Sequence, residues 1–269
     1  MSGEDHADTS ADLPVRRPDP VVRAVTVGEI IEALADGLRD FQSAPIYGLT
    51  FGALYAAGGI LIVLSVSALG ASYLAYPLAA GFALIGPFVA VGLYEVSRRR
   101  ETGQPLSWTA VMGTIVTQGW RELGWMAFVT VFVFIIWMYL IQFLVALLLG
   151  LKSFVSLRDF LLAVTTTPEG WVFLIVGHLM GAALSLVLFS LTVVSFPLLL
   201  DRDVDFVTAM ITSVRAVVAS PGPMIGWAAV VVILMIVACV PAFLGLLVVL
   251  PVLGHATWHL YRRIVPADA

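Results

Sequence analysis

Hydrophobic and polar positions follow one order three times along this chain. An amphipathic stretch carries an arginine, followed in the outer two copies by a proline; a long uncharged run then ends in basic residues. Residues 203–263 show the order most plainly, with Arg215, Pro221 and the terminal pair Arg262 and Arg263. Shifted by 176 positions, Ala33, Leu38, Arg39 and Pro45 fall on Ala209, Val214, Arg215 and Pro221. Shifted by 164, Pro87, Tyr94, Arg98 and Arg99 fall on Pro251, Trp258, Arg262 and Arg263. The middle copy is weaker: Leu38-Arg39-Asp40 falls on Trp120-Arg121-Glu122, and Phe196-Pro197 precedes Asp201-Arg202. Internal repetition of this kind is common in membrane bundles.

The pattern predicts the elements. Residues 26–42 read as an amphipathic helix opened by a Thr26–Glu29 capping box, with Val27, Ile30, Ile31, Leu34, Leu38 and Phe41 on one face. Residues 107–122 and 206–219 read as its counterparts. Residues 47–94, 123–151, 170–200 and 216–261 carry no charge. A helix needs about 20 apolar residues to cross a hydrocarbon core of about 30 Å. The runs therefore predict spans over 47–69, 73–96, 124–150, 171–200, 224–240 and 242–261, with turns at Gly70-Ala71-Ser72 and Pro241. One continuous helix through the last two spans is the alternative. Thr167, Pro168 and Glu169 suit a helix start, and residues 152–163 a short interfacial helix.

The fold class expected is thus an all-α polytopic membrane bundle: six spans as three hairpins, each preceded by an amphipathic interfacial helix. A disordered cytoplasmic tail (1–25) precedes one transmembrane domain (26–264) with units 26–100, 107–202 and 203–263, and a short tail (265–269) follows. No cleavable signal is apparent in the polar first residues.

Composition and charge refine this picture. Hydrophobic residues make up 60% of the chain and charged residues 12%, and mean hydropathy is +1.01, outside the range of soluble domains. Six spans with a cytoplasmic N-terminus place twelve of the 14 basic residues inside, leaving Lys152 and Arg158 outside. A single cysteine, Cys239, excludes an intramolecular disulfide. The net charge of −4 gives no sign of nucleic-acid binding.

Candidate chemistry is sparse. His178 is an ionisable side chain well inside a span, a functional candidate by default. His255 and His259 share a helix face at the i, i+4 spacing that can hold a metal, but no acidic or cysteine ligand stands nearby, and the depths of His178 and His255 disagree for a shared haem iron. Arg39, Arg121 and Arg215 recur at like positions and suit a lipid phosphate or a helix C-terminus. Asp201, Arg202 and Asp203 form a charged knot able to cap helices or meet a partner. Glu95 is explained by ion pairs with Arg98 and Arg99. There is no nucleophile elbow, phosphate loop or dinucleotide fingerprint, so neither catalytic residues nor cofactors are assigned.

Several stretches carry a resemblance: Pro77 to Gly81, Gly86 to Arg98, Thr166 to Gly170, Phe196 to Asp203 and Leu253 to His259. Together they resemble a proteobacterial family of uncharacterised multi-pass integral membrane proteins, a domain of unknown function with some members labelled putative cytochrome c oxidase component. The resemblance implies a multi-pass inner-membrane protein and brings no activity. The expected function is a non-enzymatic scaffold, accessory or assembly factor of a membrane complex, whose partners are the lipid bilayer and another membrane protein. A small-molecule or lipid permease is the alternative, and a haem-binding respiratory subunit a weaker one.

Overall fold

A computed structural model of the chain describes residues 19–68, 75–150 and 157–267. These residues fold into ten helices: α1 (Val27–Ser43), α2 (Pro45–Ala68), α3 (Ala75–Glu101), α4 (Trp108–Leu148), α5 (Leu157–Thr166), α6 (Pro168–Thr192), α7 (Ser195–Asp201), α8 (Phe206–Ala219), α9 (Pro221–Cys239) and α10 (Leu246–Ile264). Four stretches among them are long and apolar enough to cross a membrane: Pro45–Ala68, Glu122–Leu148, Pro168–Asp201 and Pro221–Cys239. The tail residues 1–18, the expected turn at 70–72, Lys152 and residues 268–269 lie outside the described residues.

Helix ends follow local chemistry. The Thr26–Glu29 box is reciprocal: Glu29 N–H donates to Thr26 Oγ1 (3.3 Å) and Thr26 N–H to Glu29 Oε2 (2.8 Å). Thr167 caps α6 through Gly170 N–H (3.0 Å), with Pro168 in the first turn. Asp205 caps α8, accepting from the N–H groups of Val207 and Thr208.

Prolines set the breaks. α1 ends at Ala44 and α8 at Ser220, each directly before a proline. Proline excludes its predecessor from helical geometry, and the two residues adopt nearly the same backbone, φ −136° and ψ 54° against φ −142° and ψ 61°. Their separation is the 176-residue shift that aligns the outer units. The middle unit lacks a proline there. Residues 107–122 and 124–150, expected as two segments, therefore form the single helix α4, 41 residues long. The span expected over 171–200 is instead interrupted at Val193 and Val194. Pro197 offers no N–H to the Val193 carbonyl and its ring crowds that group, so α7 begins as a new helix. Residues 224–240 and 242–261, expected as two spans, fall on the separate helices α9 and α10: the chain turns through residues 240–245, where Ala242 and Phe243 take positive φ (49° and 66°).

α10 is the buried centre. Leu246, His255, Ala256, Trp258, Leu260, Tyr261 and Ile264 are each at most 1% exposed. α1 and α2 together line it in one antiparallel register: Asp36 meets Arg263, Asp40 meets His259, Gly48 lies against Pro251, and Gly52 against Leu246 and Leu247. Close approach needs glycine. A Cβ on Gly37 would stand 2.5 Å from Ala256 N and 2.7 Å from Val252 O. The buried face of α1 is therefore Ile30, Ala33, Gly37 and Asp40. Its bulky residues Val27 (60% exposed) and Ile31 (63%) point away from the chain, so the side that meets protein is the small one.

Residues 19–25, read in sequence as part of a polar tail, run extended beside the end of α10. Arg23 N–H donates to Ile264 O (2.8 Å), and buried Val25 N–H to Ser220 Oγ (2.8 Å).

The remaining contacts are cyclic. α1 lies on α10, the first turns of α4 lie on α3, and α8 lies on α6 and α7. The C-terminal ends of α3, α7 and α10 pack on one another.

Candidate functional site

Two of the sequence candidates, His255 and His259, fall within one buried polar cluster where α1, α3 and α10 cross. Asp40 Oδ2 accepts from Ser97 Oγ (2.6 Å) and His259 Nε2 (2.8 Å), while Oδ1 accepts from Arg100 Nε (2.8 Å). Ser97 has one hydroxyl proton and gives it to Asp40. Its oxygen therefore accepts from His255 Nδ1 at 2.8 Å, which fixes the tautomer of His255. Nε2 of His255 is buried and makes no hydrogen bond among the described residues. Burial pushes the Asp40 carboxyl up, but the hydrogen bonds from His259, Ser97 and Arg100 outweigh it and hold the group well below the usual carboxylate range. Asp36, a turn earlier, is lowered in the same way: burial opposes, and the Arg263 hydrogen bond (2.7 Å) prevails.

A second node surrounds Glu95, which is fully buried. It accepts from Arg98 Nε (2.7 Å), Arg99 Nε (2.6 Å) and Thr114 Oγ1 (3.1 Å), the last reaching across from α4. The expected ion pairs of Glu95 with Arg98 and Arg99 are both present. A third node closes the centre. Arg262 bridges Glu101 (2.9 Å) and Asp201 (3.2 Å), so one guanidinium ties the ends of α3, α7 and α10. Trp258 Nε1 donates to Glu101 (3.0 Å) and Tyr261 to Asp201 (2.6 Å).

The other candidates scatter. Arg202 donates to the Pro266 carbonyl (2.5 Å), and Asp203 lies in the link between α7 and α8. Arg39 pairs with Asp36 on its own helix, and Arg215 with Asp19 at 3.5 Å; both arginines are over half exposed. Arg121 is in α4, and its side chain lies outside the described residues. His178 stands on the exposed face of α6, its Nδ1 2.7 Å from Leu174 O. It is not brought to His255. No group of three or more His, Cys, Asp or Glu side chains able to hold a metal occurs among the described residues.

Sequence reasoning missed Asp40, Ser97, Arg100 and Glu101. The one available signal was Asp40, which follows the repeated arginine and falls on Glu122 in the middle copy. Ser97 looks like any helical serine.

Residues 75–201 match a family described as predicted integral membrane protein (DUF2189). That stretch, just under half of the chain, is what resembles the family. The DUF2189 region runs from the start of α3 to the end of α7. It supplies Glu95, Ser97, Arg100, Glu101 and Asp201, while Asp40, His255, His259 and Arg262 come from outside it. The nodes around Asp40 and Arg262 therefore join the DUF2189 region to the flanking helices. No curated protein and no solved structure matches the chain.

Proposed function

We propose that the chain is a non-enzymatic scaffold or assembly factor of a bacterial inner-membrane complex, with six spans in three hairpins and both termini cytoplasmic. The observation that carries this reading is the contrast between its two sides. Only 6% of the most apolar stretch of α4, and 6% of that of α6, is buried within the chain, against 33% for α2. Two long helices are thus offered almost bare to the bilayer, held by a core cross-tied by the three charged nodes. Such a shape suits a partner that docks on α4 and α6. The equal breaks at Ala44 and Ser220, and the cyclic packing of each amphipathic helix on the unit before it, support the threefold repeat.

The experiment is purification from native membranes in mild detergent, followed by mass spectrometry and an absorption spectrum. Stoichiometric membrane-protein partners that are lost when α4 and α6 carry bulky outward substitutions are the expected result. A solitary chain with a bound small molecule would turn the reading to transport, and a Soret band to haem.

A further inference from the structure

The α4–α6 face carries an imidazole and a carboxamide in its largely apolar surroundings. His178 is exposed ten residues into α6, about 15 Å from the helix start. Gln142 is exposed on α4. Their register follows from the seam between the helices, where Gly177 lies beside Ile141 and Leu144 and Gly181 beside Trp137. Gln142 and His178 each follow a seam residue by one position. In an antiparallel pair, a step of one residue, about 100°, turns both side chains to the same side of the pair. They therefore share one depth and one face.

Their chemistry is complementary. A carbonyl only accepts, so His178 Nδ1 carries the proton that it gives to Leu174 O. A neutral imidazole then presents Nε2 as an acceptor. Gln142 offers two amide N–H donors. Neither His178 Nε2 nor the Gln142 amide has a hydrogen-bond partner among the described residues. Hydrocarbon satisfies neither group, and exposed polar side chains at such depth are costly.

We propose that two copies of this chain pair through the α4–α6 face, the Gln142 amide of each donating to His178 Nε2 of the other. A twofold axis along the membrane normal preserves depth and makes contacts reciprocal. A donor and an acceptor at one depth on one face are what such an axis requires. It sets α4 of each copy against α6 of the other, a four-helix arrangement. Ala182 and Ser185, exposed one and two turns along from His178, leave room for close approach. The inference rests on the reading of α4 and α6 as a docking surface and commits that surface to a second copy.

The test is single-molecule photobleaching of the full chain in phosphatidylethanolamine–phosphatidylglycerol liposomes, diluted in lipid. The parent should pass from dimer to monomer along the series. His178→Leu and Gln142→Leu should each weaken dimerisation roughly tenfold, with the double variant little worse than either. Both residues face outward, so thermal unfolding of the monomer should not move. In a Cys239→Ser background, copies with Gln142→Cys should cross-link to copies with His178→Cys. A chain monomeric throughout, or Leu variants that dimerise like the parent, overturns the proposal. If native partners still co-purify with such a monomer, the docking reading stands and only the pairing of copies fails.

Discussion

Asp40 takes hydrogen bonds from three side chains on two other helices while only 7% exposed. Its removal leaves the partly exposed Arg100 guanidinium and the half-buried His259 N–H without their acceptor. Asp40→Ala should therefore cost about 3 kcal/mol, as breaking a buried pair does, read as a fall in thermal unfolding temperature in detergent. The pH dependence has a definite sign. The folded carboxyl titrates below its unfolded value near 3.9, so its contribution is whole above about pH 5 and is lost as pH falls through the folded value. Acid unfolding profiles should show this loss in the parent and lack that component in Asp40→Asn. Gly37 makes a separate prediction. Any side chain there meets the α10 backbone, which cannot yield as a flexible side chain does. Gly37→Leu should destabilise more than Ala33→Gly, by a margin visible in the same melts.

Among the elements, what could be read from sequence was what short-range chemistry decides. Thr26 with Glu29 and Thr167 with Pro168 act within one turn of helix, and both cap as expected; Asp205 caps α8 in the same local way. The breaks at Pro45 and Pro221 are equally local. Restoring an N–H with Pro197→Ala should let α6 and α7 run together and displace Val194 N–H from Ser213 Oγ, a 3.1 Å bond. Slower amide exchange at residue 197 than at its neighbours in the parent link would show it. The faces of the helices were harder. α1 has a bulky side and a small acidic side, and the small side is the buried one because glycine and alanine let two backbones approach. In α6 nearly every position is apolar, so no pattern separates inside from outside. Only the packing of Gly177 and Gly181 on α4 reveals that His178 looks outward. The ties Ser97–His255 and Asp40–His259 span 158 and 219 residues and leave no local trace.

At the scale of the molecule, Arg262 is the residue that all three central helix ends share. Its side chain is 24% exposed, so Arg262→Ala should cost about 2 kcal/mol, less than a fully buried bridge. Arg262→Lys should recover little of it, because a point charge cannot reach two carboxylates as a guanidinium fork does. Glu101→Gln and Asp201→Asn combined should cost less than the sum of the two, since both act through one guanidinium. The pairing of α1 with α10 also bears on how the protein is made. Translation adds roughly 5–20 residues per second, so α1 is synthesised roughly 10–45 s before the residues against which Gly37 and Asp40 pack. Throughout that interval the small face of α1 has no helix to pack on, and Asp40 can find only its α3 partners, Ser97 and Arg100. Biogenesis must keep α1 unoccupied and away from wrong neighbours until α10 arrives, which makes the finished architecture depend on the closing stages of synthesis.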